Sequence, residues 1–387
     1  MKFDFYLSEM SVSDLHGGGL TLQRVIREDL ADIPCFVHVN RFGVDMPASA
    51  KFLDRCINLT SFWEQDAVRS KIGRSMAATL NKKLFFIRLH AKKAARILAK
   101  KIEKKSVSAL ICPQGAVSIY TLEELKRYKT IKYISWVMDD HLVKYINGNW
   151  EYPKGVEQVF KQHLREAEHV FVISPAMQDF YRNRFGVEST VLFGSANLHT
   201  RDRRPDLKAA ETLKIGYFGA VTTWQLDVLQ GLATSLNGTN TQLDIYSAVP
   251  KLPAELCVEG VIFEGRLNPD LVLTTMAKYD AILLPISFME KMRSMSEFNI
   301  ATKMSECLAS GVPVLAIGPG YSAMIKYLKK NNAAVVVESN NDEDFKHALG
   351  LLRDEKYVSE ILQNAERLAI SETGTVPMHK RWLEIVD

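Results

Sequence analysis

The sequence predicts an α/β protein made of two doubly wound, parallel-sheet domains. Short β-branched or aromatic runs alternate with longer helical patterns along the chain, as in right-handed βαβ units. A polar stretch, SANLHTRDRRPDLKAAET (Ser195–Thr212), interrupts that alternation once, and the alternation then restarts. The length, 387 residues, fits two domains at roughly 100–200 residues each. Apolar residues make up 47% and charged residues 24%, the mix of a soluble globular chain, which excludes disordered and fibrous classes.

Taken in order, the expected strands before the polar stretch are Lys2–Leu7, Cys35–Asn40, Ile57–Phe62, Ala109–Cys112, Tyr133–Val137, Val170–Ile173 and Thr190–Phe193. After it come Leu213–Phe218, Leu243–Tyr246, Val261–Phe263, Ala281–Leu284, Val314–Ile317 and Ala334–Val337. Each series predicts a Rossmann-like domain, 1–198 and 199–369, the two facing an interdomain cleft. In such sheets ligands bind beyond the carboxyl ends of the strands, so residues just after strands are the candidates for chemistry.

No uncharged apolar run approaches the roughly 18–20 residues that span a bilayer. The opening MKFDFYLSEM places Asp4 and Glu9 where a signal peptide needs an apolar segment. The five cysteines are odd in number and scattered, with no metal-site spacing, so a reduced cytoplasmic protein is expected.

Charge is unevenly spread. Between Arg69 and Lys105 there are 13 Lys/Arg and one acid, Glu103, leaving 36 of the 49 basic and 44 of the 45 acidic residues elsewhere. Within this segment Leu84, Ile87, Ala91, Ala94, Leu98 and Ile102 recur at helical steps. Lys82, Lys83, Lys92 and Lys93 mark a face expected to meet an anionic membrane surface, with Phe62, Trp63, Phe85 and Phe86 beside it. A solvated helix face is the plainer explanation of Leu84–Lys105. No base-reading motif accompanies the charge, so nucleic acid is not an expected partner.

Four post-strand loops carry candidate residues. Gly17-Gly18-Gly19 precedes an amphipathic run and would let backbone N–H groups approach an anion. Asp139, Asp140 and His141 follow the strand Tyr133–Val137, where a general base would stand, although a helix-capping role competes. Gly219 and Ala220 end the strand Leu213–Phe218, as a ligand approach or a tight turn. Lys303 and Glu306 share a helix face; a helix starting near Ala301–Thr302 would offer N–H groups to phosphate, with Lys303 as a counter-charge and Glu306 as acceptor for a vicinal diol. The absence of GxGxxG in either half argues against a dehydrogenase.

The segment ATKMSECLASGVPVLA resembles the nucleotide-binding signature of GT-B glycosyltransferases, specifically the family 4-like enzymes. The Gly17–Gly19 loop, VFVISPAMQDFYRNRFG, LKIGYFGAV and FEGRLNPDLVLTTMAKYDAILLP agree in order and spacing, from end to end of most of the chain. The resemblance implies a GT-B fold with an acceptor-binding first domain, a donor-binding second domain and a last helix, about 370–387, packing back onto the first. It implies transfer of a hexosyl-type sugar from a nucleotide-diphospho sugar to a glycan or lipid-linked acceptor, with retention, in polysaccharide or cell-envelope biosynthesis at the inner face of the membrane. No metal or cofactor is expected. Asp140 and His141 would stand near the reaction, Gly18, Gly19, Gly219, Ala220, Arg293, Ala301, Thr302 and Lys303 near the donor, and Glu306 on its ribose. Many relatives have a Glu where this chain has Phe298, with Glu297 one residue away, and cations where the loop here reads AVTTWQLD. Those departures leave two other expectations, a non-catalytic accessory subunit and a GT-B sugar-nucleotide epimerase.

Overall fold

The computed structural model describes residues 1–199 and 212–387. The chain forms two compact units, Met1–Phe193 with His379–Asp387, and Gly194–Met378. Most of the expected linker, residues 200–211, lies outside the described residues.

The strands of the first unit are β1 (Phe5–Ser8), β2 (Phe36–His38), β3 (Cys56–Asn58), β4 (Ser106–Cys112), β5 (Thr130–Val137), β6 (Lys144–Ile146), β7 (Asn149–Glu151), β8 (His169–Val172) and β9 (Thr190–Val191). Seven of them form one parallel sheet in the order β3-β2-β1-β4-β5-β8-β9. Helices cover both faces, so β1, β2 and the ends of β4 and β5 are buried on both sides and read as mostly apolar runs. Phe5, Leu7, Val37, Ala109, Ile111 and Tyr133 meet Ala94, Ala95 and Leu98 of the helix Leu84–Lys101 in one core cluster. Small residues on that helix bring its axis close to its neighbours. β6 and β7 stand apart as an antiparallel hairpin that the strand pattern did not anticipate. Its turn is Asn147-Gly148, both at positive φ, 49° and 82°, the geometry that an Asn-Gly pair favours.

The second unit holds β10 (Leu213–Phe218), β11 (Thr241–Tyr246), β12 (Val261–Gly265), β13 (Ala281–Pro285), β14 (Val314–Ile317) and β15 (Val335–Val337). Their order is β12-β11-β10-β13-β14-β15, and all pairs are parallel. Ile215, Leu243, Ile245, Leu283, Leu315 and Ile317 supply the core beneath the helices Leu226–Ser235 and Asp342–Leu351. The predicted segment Ile57–Phe62 is corrected here: pairing with β2 ends at Asn58, and Phe62 belongs to a short 3₁₀ turn. The doubly wound α/β architecture is present in both units.

The last helix, Thr375–Val386, delivers its residues from His379 onward to the first unit. Trp382 is fully buried there, its ring centroid 5.3 Å from Phe171, 6.0 Å from Phe3 and 6.3 Å from Trp136. Its indole Nε1 donates to Asp29 Oδ2 at 2.8 Å, so the one polar atom of this side chain is satisfied. His379 Nδ1 lies 2.8 Å from the Val25 carbonyl, and Arg381 donates to the Val191 carbonyl. The final turn therefore closes the core of a unit whose other residues end at Phe193. Trp382→Ala should cost about 3–5 kcal/mol in the first unit, seen as a lowered midpoint for that transition in two-transition calorimetry. A midpoint unchanged by this substitution would mean that the helix end is not part of that core.

Candidate functional site

In a parallel sheet each crossover helix runs back against the strands, so helix N-termini and post-strand loops gather at the carboxyl edge. Ligands sit where the strand order reverses. In the second unit that point is between β10, whose chain goes on to β11, and β13, whose chain goes on to β14. The residues after those two strands are joined directly: Ser287 N donates to the Trp224 carbonyl at 3.0 Å, and Phe288 N to Asp227 Oδ2 at 2.8 Å. The loop after β14 adds Tyr321, which sequence reasoning missed, with the Arg293 guanidinium 4.5 Å from its ring centroid. Gly318-Pro319-Gly320 just ahead of it was the available signal. Gly318 leaves no room for a Cβ, which would lie 2.8 Å from that of Ile286.

Two acid–base pairs occupy this edge. Arg293 Nε is 2.5 Å from Glu297 Oε2, and Lys303 Nζ is 3.7 Å from Glu306 Oε2. Glu306 is nearly buried while Lys303 is half exposed. Arg293, expected as a spare cation, is thus already committed to Glu297 and Tyr321. The helix that follows is Lys303–Ala309, with Thr302 at its N-cap and no side-chain cap. At two turns it has a shorter dipole than the sequence pattern suggested, and Met304 N is taken by the Ala301 carbonyl at 2.9 Å. Its start is pinned from behind: Ser305 Oγ donates to the Gly194 carbonyl, and a Cβ on Gly194 would lie 2.9 Å from Thr302 Cα. Ala301 is exposed, whereas Phe298 is a core residue. Gly219 and Ala220 follow β10; a Cβ at Gly219 would lie 2.6 Å from the Tyr217 hydroxyl, which donates to the Ala220 carbonyl at 2.6 Å. The tight turn, rather than ligand approach alone, requires that glycine.

In the first unit the reversal lies between β1 and β4. Ser8 bridges them by donating to the Cys112 carbonyl at 2.5 Å. Glu9, a buried carboxylate that sequence reasoning had noted only as a charge, accepts from Gln114 N, Ser118 N and Ser118 Oγ at 2.8–2.9 Å. It thereby caps the helix Ala116–Leu125, and burial raises its pKa against those hydrogen bonds.

The glycine loop is the start of a helix. Gly18 and Gly19 lie in the first turn of the helix Gly17–Ile26, and the Gly19 N–H is already given to His16 Nδ1 at 3.1 Å. Glycine is needed by packing at Gly19, where a Cβ would lie 2.2 Å from the Ser13 carbonyl oxygen; at Gly18 a Cβ would meet the end of the Met10 side chain, 2.2 Å from Sδ. His16 is the cap; burial brings its pKa down to about 4. His38, at the end of β2, holds Asn58 through Nδ1 at 3.0 Å, and its buried Nε2 has no hydrogen-bond partner among the described residues.

Asp140 is also corrected. A carboxylate has about four lone-pair sites, and all four are filled: Leu142 N and Val143 N on Oδ1 at 3.0 and 3.2 Å, Tyr152 and Tyr181 hydroxyls on Oδ2 at 2.7 and 2.9 Å. The residue is buried, so it fixes the loop to the hairpin and has no lone pair left for a substrate proton. Asp139 beside it is half-buried; burial raises its carboxyl pKa, His141 lowers it, and Asp140 raises it further. His141 is exposed. Lys82, Lys83, Lys92 and Lys93 are all exposed at the carboxyl end of one helix and along the next.

Sucrose-phosphate synthase from Thermosynechococcus elongatus superposes with a TM-score of 0.68 at 13% identity, over 99% of this chain and 97% of that one. The fold is GT-B. The lipopolysaccharide outer core galactosyltransferase WaaB gives 0.64 at 13% identity, over 99% and 98% of the two chains. S. aureus TarM gives 0.56 at 16% identity over 77% of this chain, which spans only 59% of TarM's length. No family model and no curated protein matches the sequence.

A buried histidine contributes to the acid response of the first unit. His163 is fully buried, stacked 5.1 Å from Tyr133, with Nε2 2.9 Å from Ser135 Oγ, and burial lowers its pKa to about 3. A base held neutral in the fold but free to protonate when unfolded supplies stability above pH ~6.5 that is lost as pH falls towards its folded value. Raised carboxyls such as Glu9 act in the opposite sense, so the His163 share is isolated by comparison. The melting-point advantage of the wild type over His163→Gln should shrink steadily between pH 6.5 and 4. An advantage independent of pH would contradict a neutral buried imidazole.

Proposed function

We propose that the chain is a glycosyltransferase that moves a sugar from a nucleotide-diphospho sugar to a glycan or lipid-linked acceptor. The observation that carries the reading is the placement of Lys303 and Glu306, together with Arg293–Glu297, where strand order reverses at the carboxyl edge of the second sheet. A nucleoside diphosphate has the complementary chemistry. Its phosphates would draw Lys303 and Arg293 away from their own carboxylates, and both hydroxyls of its ribose diol would donate hydrogen bonds to Glu306. The short helix behind Thr302 adds a partial positive end. Solved relatives of this fold support a uridine nucleotide as the first to try: TarM was crystallised with UDP and an α-GlcNAc-glycerol, and Anabaena HepE with UDP-glucose.

In this reading the diphosphate leaves as an anion, stabilised by the paired cations. His141, exposed after β5, is the acceptor-side candidate for the proton of the attacking hydroxyl, with Asp139 two positions before it. Asp140 positions both through the loop. Retention, a hexosyl donor, a metal-free mechanism and a role in polysaccharide or cell-envelope synthesis at the inner membrane face are further parts of the proposal. They rest on the sequence resemblance.

Thermal unfolding against UDP-, GDP-, dTDP- and CMP-sugars tests it. A ligand at 100 times its dissociation constant stabilises by about 2.7 kcal/mol, and one nucleotide class should raise the second unit's midpoint. Glu306→Ala should weaken that binding by about 1.5–3 kcal/mol, the value of hydrogen bonds to a charged group. Binding without transfer to any acceptor would favour an accessory subunit, and conversion of the sugar without an acceptor an epimerase. No shift with any class would sink the donor site itself.

A further inference from the structure

The basic segment of the first unit has more structure than a solvated helix needs. Along the helix Leu84–Lys101 the buried side is Ala91, Ala94, Ala95 and Leu98. At 100° per residue, Phe85, Arg88, Leu89, Lys92, Lys93, Arg96 and Lys100 fall together on the opposite side, and all seven are exposed. Phe85 is 70% and Leu89 58% exposed. A packed platform extends this face. Ser61 Oγ donates to Asn81 Oδ1 at 2.6 Å, and Asn81 Nδ2 to Glu64 Oε1 at 3.3 Å, joining the turn Phe62–Glu64 to the helix Arg74–Asn81. Four aromatic rings then run in series, Phe62 to Trp63 at 5.1 Å, Trp63 to Phe86 at 4.9 Å, and Phe86 to Phe85 at 5.3 Å. Both ends of the series, Phe62 and Phe85, are exposed, as is Met76.

The charge on this platform is uncompensated. Of the 13 Lys/Arg from Arg69 to Lys105, only Lys104 has an ion pair among the described residues, with Asp4 at 2.6 Å. Of the others, Arg69 is half-buried and the Arg88 guanidinium lies 5.4 Å from the Tyr120 ring centroid, while the remaining ten are exposed, with Glu103 as the segment's one acid. Elsewhere in the same unit several cations are paired, as Lys126 is with Glu123 and Glu166, and Arg41 with Asp45 and Asp66.

We propose that this face docks the first unit on an anionic lipid bilayer, with Phe62 and Phe85 entering the headgroup region and the helix Leu84–Lys101 lying in the interface plane. An amphipathic helix with cations beside its apolar tips binds a membrane in this way, sinking about 5–10 Å. The cations need no directional partner, because a charged surface attracts them over a Debye length. A bilayer also accepts Leu89 and Met76, which cannot stack on bases as an aromatic platform for single-stranded nucleic acid would. No helix among the described residues is long and apolar enough to cross a membrane, so this contact is peripheral.

The test is cosedimentation of the full chain with phosphatidylcholine vesicles, with and without phosphatidylglycerol, at low and high salt, with heparin as a soluble polyanion control. Two variants at exposed positions accompany it, Lys92→Gln/Lys93→Gln/Arg96→Gln and Phe62→Ser/Phe85→Ser, each checked for an unchanged melting midpoint. Wild type should bind the phosphatidylglycerol vesicles in a salt-sensitive way. The charge variant should bind roughly a hundredfold more weakly, at on the order of fivefold per cation. The phenylalanine variant should lose vesicle binding and keep any heparin binding. Failure of wild type to bind anionic vesicles would overturn the proposal. So would vesicle binding that the phenylalanine variant retains in full, since that marks a site for polyanions of any kind. Glu306→Ala should bind vesicles as wild type does, so loss of the donor site and loss of this surface are separable.

Discussion

Two parallel strands can be neighbours only if the chain crosses the sheet between them, and both units are built under that constraint. The crossings cover both faces with helices, so strands such as β1 and β14 are buried throughout. They also deliver every post-strand loop to one edge. Polar groups that would be costly inside the sheet collect there, and several of the buried ones are paired. Ser8 ties β1 to β4, Glu9 caps the helix after β4, and Asp140 gathers two backbone amides and two tyrosines. The edge is where chemistry is available, and in the first unit much of it is spent on holding the loops.

The second unit treats its charges differently. Arg293 and Lys303 each sit beside a carboxylate on their own helix, at the edge rather than in the interior. Partly exposed pairs of this kind contribute little to stability, so little is lost when a ligand separates them. That is the physical sense in which the two pairs suit an anionic diphosphate with a neutral diol. The platform of the first unit is a third arrangement, in which cations are left unpaired over a long arc. The three cases differ in what each charge faces: a buried donor set, a replaceable partner, or open solvent.

The strands were legible because burial on both faces writes a continuous apolar run. This holds for central strands such as β4, β13 and β14, whereas β3, β9 and β12 at the sheet edges are only partly buried. The hairpin β6–β7 was missed although Asn147-Gly148 between KYI and NWE signals it, because the flanking runs are three residues each and carry no apolar continuity. The pairing of Lys303 with Glu306 could be read from an i,i+3 spacing. Local spacing gave no view of Asp140, whose four donors include Tyr152 and Tyr181, 12 and 41 residues away. The glycines of Gly17–Gly19 were read as openness towards a ligand, while the loop Met10–Ser13 folds down upon them. Residues that act through distant partners leave no pattern in the sequence around them.

The most direct measurement of the central claim is amide hydrogen exchange across the whole chain, with and without a nucleoside diphosphate that binds. The account predicts new protection confined to the second unit's carboxyl edge, in the segments around Gly219–Trp224, Ser287–Lys303 and Tyr321. A bound nucleotide that protects other segments and leaves Ser287–Lys303 exchanging as before would contradict it.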